Sequence, residues 1–123
     1  MTSWLPLASS KDPLFGDAAQ FADAYKARFG YEADYHGAAS AAAVQAFAKA
    51  LEAAGTTEPK AVRDAISKLD FATQYGRIRF SEAGQIDLPQ VVVQVQKGKL
   101  VPVFGGTGFM AKPLYPMPEW KQR

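Results

Sequence analysis

His36 is the only histidine in the chain, and it is the one side chain whose ordinary titration falls near neutral pH. It stands in DYHGAASAAAVQAF, residues 34–47, with Tyr35 just before it and an alanine-rich run behind. An imidazole beside a phenol could act as a general base, a metal ligand or a polar ligand contact. Base catalysis needs a nucleophile within reach and a group that orients the ring. The chain has no cysteine and no G-x-S-x-G or H-E-x-x-H pattern to supply them. A metal would have to be held by carboxylates beside a single histidine, which is a poor donor set for zinc. The acidic pairs in DPLFGD and DAISKLD fall at exposed or capping positions, where a carboxylate is solvated. GGTG at 105–108 lacks the strand-before, helix-after setting of a phosphate loop.

Binding is the chemistry that survives. His36 is either a polar residue in the first turn of a helix or a ligand contact there. Free N–H groups and a partial positive charge at a helix start favour a carboxylate, and Tyr35 adds an apolar wall. Trp4 and Trp120 lie in proline-bounded segments, where an indole either anchors packing or lines a pocket. No cofactor is implied by any of these residues.

These side chains need elements to hold them. A helix is expected from about Asp17 to Phe29, with Asp17 as cap and Gly30 as stop. Phe21, Tyr25 and Phe29 recur every four residues and form a core stripe. A second helix runs from Tyr35 or His36 to Ala54 and is closed by Gly55. Its expected inner face carries Ser40, Val44, Phe47 and Leu51, widened by Ala39, Ala42, Ala43, Ala46 and Ala50; Lys49 and Glu52 stay in water. A third runs from Pro59 to about Leu69, with Thr57 or Glu58 as cap and Val62, Ala65, Ile66 and Leu69 inward. YGRIRF then alternates as a half-buried strand, SEAGQ turns, and PQVVVQVQKGKLVPVF reads as a hairpin around Gly98. Pro102 marks its second strand as an edge. The tail GGTGFMAKPLYPMPEWKQR is expected to be extended. The fold class is α/β: three helices, a strand and a C-terminal β-hairpin. That is a thin sheet for three helices, so strands are missing.

Lys and Arg number 14 against 12 Asp and Glu, and they are scattered, so no basic patch speaks for nucleic acid. No apolar run approaches the length of a membrane span, and MTSWLPLASSKDPLFG has neither the positive start nor the apolar core of a secretory signal.

Several stretches, taken in order, resemble the C-terminal third of substrate-binding proteins of ABC importers, in the branched-chain amino acid (Leu/Ile/Val) class of periplasmic binding proteins. They are SWLP, DPLFGDAAQFADAYKARFGYEADYHGAASAAAVQAFAKALEAAGTTEPKAVRDAISKLDF, YGRIRFSEAGQ, QVVVQVQKGKLVPV and YPMPEWKQR. The series is specific, although no one motif is. The resemblance implies a non-enzymatic, periplasmic protein of two α/β lobes that close on a small amino acid or carboxylate and then dock on a permease. It implies that this chain is a fragment, with residues 1–84 in the first lobe and 85–123 holding the hinge crossing, the hairpin and the tail. Tyr35, His36 and Trp4 then carry over as cleft residues. Ala41 stands where the family often has a tyrosine. The competing expectation is a freestanding α/β interaction domain that self-associates, through its hairpin edge, as a homo-oligomer.

Overall fold

A computed structural model describes residues 4–8, 11–86, 88–105, 108–117 and 119, and Trp120 lies outside them. The chain divides into two units, Met1–Leu88 and Pro89–Arg123. In the first, three helices are set by their caps. Helix α1 spans Ala18–Phe29, and Asp17 and Gln20 cap it reciprocally, each side chain accepting from the other's backbone N–H at 3.0 Å. Helix α2 spans Tyr35–Ala54 behind the Asp34 cap. Helix α3 spans Pro59–Ile66; Glu58 is its cap and accepts from the Ala61 N–H at 2.8 Å. It stops a turn short of Leu69, because the N–H groups of Lys68 and Leu69 return to the third carbonyl back.

The expected strand at Gly76–Arg79 (β2) is half of a hairpin. Asp70–Thr73 (β1) pairs with it antiparallel, Phe71 opposite Ile78. The Thr73 hydroxyl stitches the turn, donating to the Gly76 carbonyl at 2.8 Å and accepting from the Tyr75 N–H at 3.1 Å. Gln74 is fully buried and donates to the Ala38 carbonyl of α2 at 3.3 Å, which fixes the hairpin to the helix.

The packing face of α2 differs from the expected one. Ala38, Ala42, Gln45, Ala46 and Ala50 are buried, whereas Val44 is 69% and Phe47 53% exposed. The alanines let the hairpin approach closely: Ala42 and Ala46 pack on Ile78, with Leu69, Phe71, Tyr75 and Phe80 around them. Lys49 leaves solvent in part to sit over the Phe71 ring, 5.2 Å from its centre. Gln45 is inside this face, and neither its side-chain oxygen nor its nitrogen has a hydrogen-bond partner among the described residues. A buried amide without partners is destabilising. Gln45→Met, which keeps the length and removes the polar atoms, is therefore expected to raise stability by about 1 kcal/mol. A thermal melt checks this, and a lowered midpoint would show that Gln45 does find a partner.

In the second unit, Val91–Gln96 (β3) pairs antiparallel with Lys99–Gly105 (β4), which in turn pairs with Gly108–Phe109 (β5). The loop is the two residues Lys97 and Gly98, both at positive φ, which suits the twist of a tight hairpin. Strand β4 is thus not an edge along its whole length. Pro102 is tolerated because the register shifts between Val92 and Val93, and because β5 meets only Phe104 and Gly105. The tail is tied back: Gln94 donates to the Leu114 carbonyl at 3.0 Å and accepts from its N–H at 2.9 Å, and Gln96 donates to the Lys112 carbonyl at 3.1 Å.

Candidate functional site

The residues singled out by type and spacing fall at the start of α2 and the cluster behind it. Asp34 turns the chain into the helix by accepting from the Gly37 N–H at 2.7 Å, a cap worth about 1 kcal/mol. Gly37 keeps that turn narrow. A Cβ there would meet the Asp34 carboxylate and the Tyr25 hydroxyl, both at 3.3 Å.

Tyr35 is the first helical residue and is 47% exposed. Its ring stands edge-on to His36 at 5.5 Å and to Tyr75 at 5.9 Å. Tyr75 comes from the β1–β2 turn, and nothing in the sequence singles it out. Burial, followed by its hydrogen bond with Tyr35, pushes the Tyr75 hydroxyl up to about 12. His36 is exposed, and Tyr35 is the aromatic ring against it.

Trp4 is half-buried rather than open. It packs edge-on against Phe21, with ring centres 5.7 Å apart. Phe21 is 5% exposed and forms a core with Ala33 and Ala38, onto which Trp4, Tyr25, Ala41 and Tyr75 fold. The three expected site residues are therefore linked through Tyr75, which touches Tyr35 on one side and the Trp4-bearing cluster on the other. A second tyrosine pair stands nearby. The Tyr25 hydroxyl donates to that of Tyr31 at 3.2 Å, and this bond raises the Tyr25 hydroxyl above its ordinary range.

This arrangement can bind but offers little for proton transfer. Phenols held above their usual pKa stay neutral through the physiological range, where they donate or accept single hydrogen bonds and present apolar rings. Among the described residues no group of three His, Cys, Asp or Glu side chains could hold a metal ion. No helix among them is long and apolar enough to cross a membrane.

The Tyr75 shift has a measurable consequence. Its folded-state value lies above the unfolded one, so the neutral form is favoured by folding. That contribution is complete below about pH 10 and is lost as the pH rises toward 12. Tyrosinate absorbance should show a late phase near pH 12 that Tyr75→Phe removes. An unchanged curve in that variant would show that another residue supplies the phase.

A sequence model described as periplasmic binding protein matches residues 1–99. Among solved structures, the leucine binding protein LivK of Thermotoga maritima matches with a TM-score of 0.69 and 27% identity. The match covers 85% of this chain and 29% of LivK, so the chain spans less than a third of that protein's length.

Proposed function

The chain belongs to the periplasmic binding protein family, a non-enzymatic and generally extracytoplasmic family of solute-binding proteins, and from that membership we propose that it is a C-terminal segment of an ABC importer's periplasmic receptor. Its solute is a small amino acid or a carboxylate; LivK, the matched structure, is by name a leucine binding protein. Residues 1–84 belong to one lobe, and 85–123 hold the crossing, hairpin and tail. The observation that carries the reading is Tyr35: a half-exposed ring at a helix start, backed by Tyr75 and flanked by His36. A buried core behind a half-open aromatic is what a cleft wall requires, since closure on a ligand needs contacts formed only in the closed state. Trp4 supports this wall from within the Phe21 core rather than meeting the solute at its tip. The permease docks on the closed receptor.

Calorimetry on the whole polypeptide in which this segment occurs tests the reading, with leucine, valine and benzoate as probes. One of them should give a saturable isotherm, and Tyr35→Ala should weaken it roughly tenfold or more, the loss of one anchoring aromatic. The isolated chain, which holds only one wall, should give no micromolar heat. Binding that is indifferent to Tyr35 removes it from the site. A polypeptide that binds none of the probes but self-associates would favour the interaction-domain reading instead.

A further inference from the structure

Four rings stand in a row along α1 and the turn before it. Phe15 meets Phe21 at 5.4 Å, Phe21 meets Tyr25 at 5.9 Å and Tyr25 meets Phe29 at 4.6 Å between ring centres. The last three recur every fourth residue, so they share one face of the helix. Helix α2 answers this wall with two small residues, Gly37 and Ala41. Small residues opposite large rings leave space, and a half-open, mainly apolar pocket of about 360 Å³ stands between them. That volume suits a ligand of one or two rings. The pocket is separate from the Tyr35 wall. With 3.6 residues per turn, Gly37 and Ala41 lie about 200° and 240° round α2 from Tyr35, on the far side of the helix.

Arg28 is the one charged side chain that lines the pocket. Lys26, two residues earlier, is held by Glu32, whereas no carboxylate among the described residues pairs with Arg28. Its guanidinium sits over the Phe29 ring, 5.7 Å from the centre, which keeps the cation at the edge of the aromatic wall. We propose that this pocket is a second binding site, for a small planar aromatic carboxylate. The ligand's ring rests against Tyr25 and Phe29 and over Gly37 and Ala41, and its two oxygens accept from the fork of the Arg28 guanidinium. A cationic ligand would be repelled by Arg28, and an aliphatic chain would forgo the ring contacts. The proposal stands apart from the receptor reading, because it uses neither Tyr35 nor closure of a cleft.

Calorimetry with 2-naphthoate, on the whole polypeptide in which this segment occurs, tests it. A saturable isotherm is expected. Arg28→Gln should weaken it about tenfold, and 2-naphthamide, which keeps the rings and lacks the charge, should bind the parent about tenfold more weakly than the acid. Ala41→Leu fills the space and should abolish binding, with a melting midpoint at or above the parent's to show that the fold is kept. Tyr35→Ala, on the other side of α2, should bind as the parent does. No isotherm with the parent overturns the proposal. So does binding by the isolated chain alone, since the rest of the polypeptide would then occupy the pocket. Binding that survives Ala41→Leu but is lost in Tyr35→Ala places the acid at the Tyr35 wall and overturns the second site. Equal affinity for acid and amide overturns the role of Arg28 and with it the carboxylate.

Discussion

Phe21→Ala should cost the first unit about 3–5 kcal/mol, the usual range for emptying a buried aromatic site. Phe21 is 5% exposed, and three rings lean on it: Trp4 at 5.7 Å, Phe15 at 5.4 Å and Tyr25 at 5.9 Å. Two of those rings meet it close to edge-on, a geometry that adds to what burial alone contributes. The site cannot collapse easily, because α1 and α2 are both pinned by their own caps at this end. A loss of that size is a large part of the roughly 5–15 kcal/mol that holds an ordinary domain together. The helical circular dichroism signal should therefore melt far earlier, and Trp4 fluorescence should shift toward that of a solvated indole at temperatures where the parent is folded. Phe21→Leu, which leaves most of the volume filled, should sit between the two. A loss under about 1 kcal/mol would mean that Trp4 and Tyr25 close the gap, and that the core is softer than its geometry.

The helices were legible because their ends are written in single residues. Asp17, Asp34 and the Glu58–Pro59 pair start them, and Gly30 and Gly55 end the first two at positive φ. Their faces were less legible. Val44 and Phe47 carry the hydrophobic signal of α2, yet the packed side is drawn in alanine, which has little periodic signal and acts by letting the hairpin come close. Strand β1 was hidden because Asp70–Thr73 is four residues long and does not alternate clearly. It exists because Thr73 and Gly76 close its turn on β2. Tyr35 and His36 were legible as the mouth of a helix. Tyr75 was not, since nothing local says that a turn residue forty positions later will back Tyr35. Trp4 stood out by type alone, and its contact with Phe21 is tertiary and has no trace in the spacing.

The other large effect is expected at Gly76, where the backbone decides whether Tyr75 reaches Tyr35 at all. Gly76 opens β2 at φ +134, a conformation that side chains of L-residues rarely adopt, and a Cβ there would stand 2.8 Å from the Leu88 side chain. The Leu88 methyl can move aside, so backbone strain outweighs the clash. Gly76→Val should cost about 1–3 kcal/mol, with its β-branch placing it toward the upper end. The damage should also be directional. The Thr73 hydroxyl donates to the Gly76 carbonyl, so a rotated Gly76 breaks the turn that presents Gln74 to α2 and Tyr75 to Tyr35. With Tyr75 released, its hydroxyl loses both the burial and the Tyr35 hydrogen bond that hold it at about 12. The late tyrosinate phase should then move down toward the ordinary range, alongside a lower melting midpoint. A Gly76→Val chain that melts earlier but keeps the late phase would show that the hairpin distorts without letting Tyr75 go, and that the Tyr35–Tyr75 contact is set from the helix side. A chain unchanged in both would mean that the turn tolerates a side chain, and that Gly76 does not position the site.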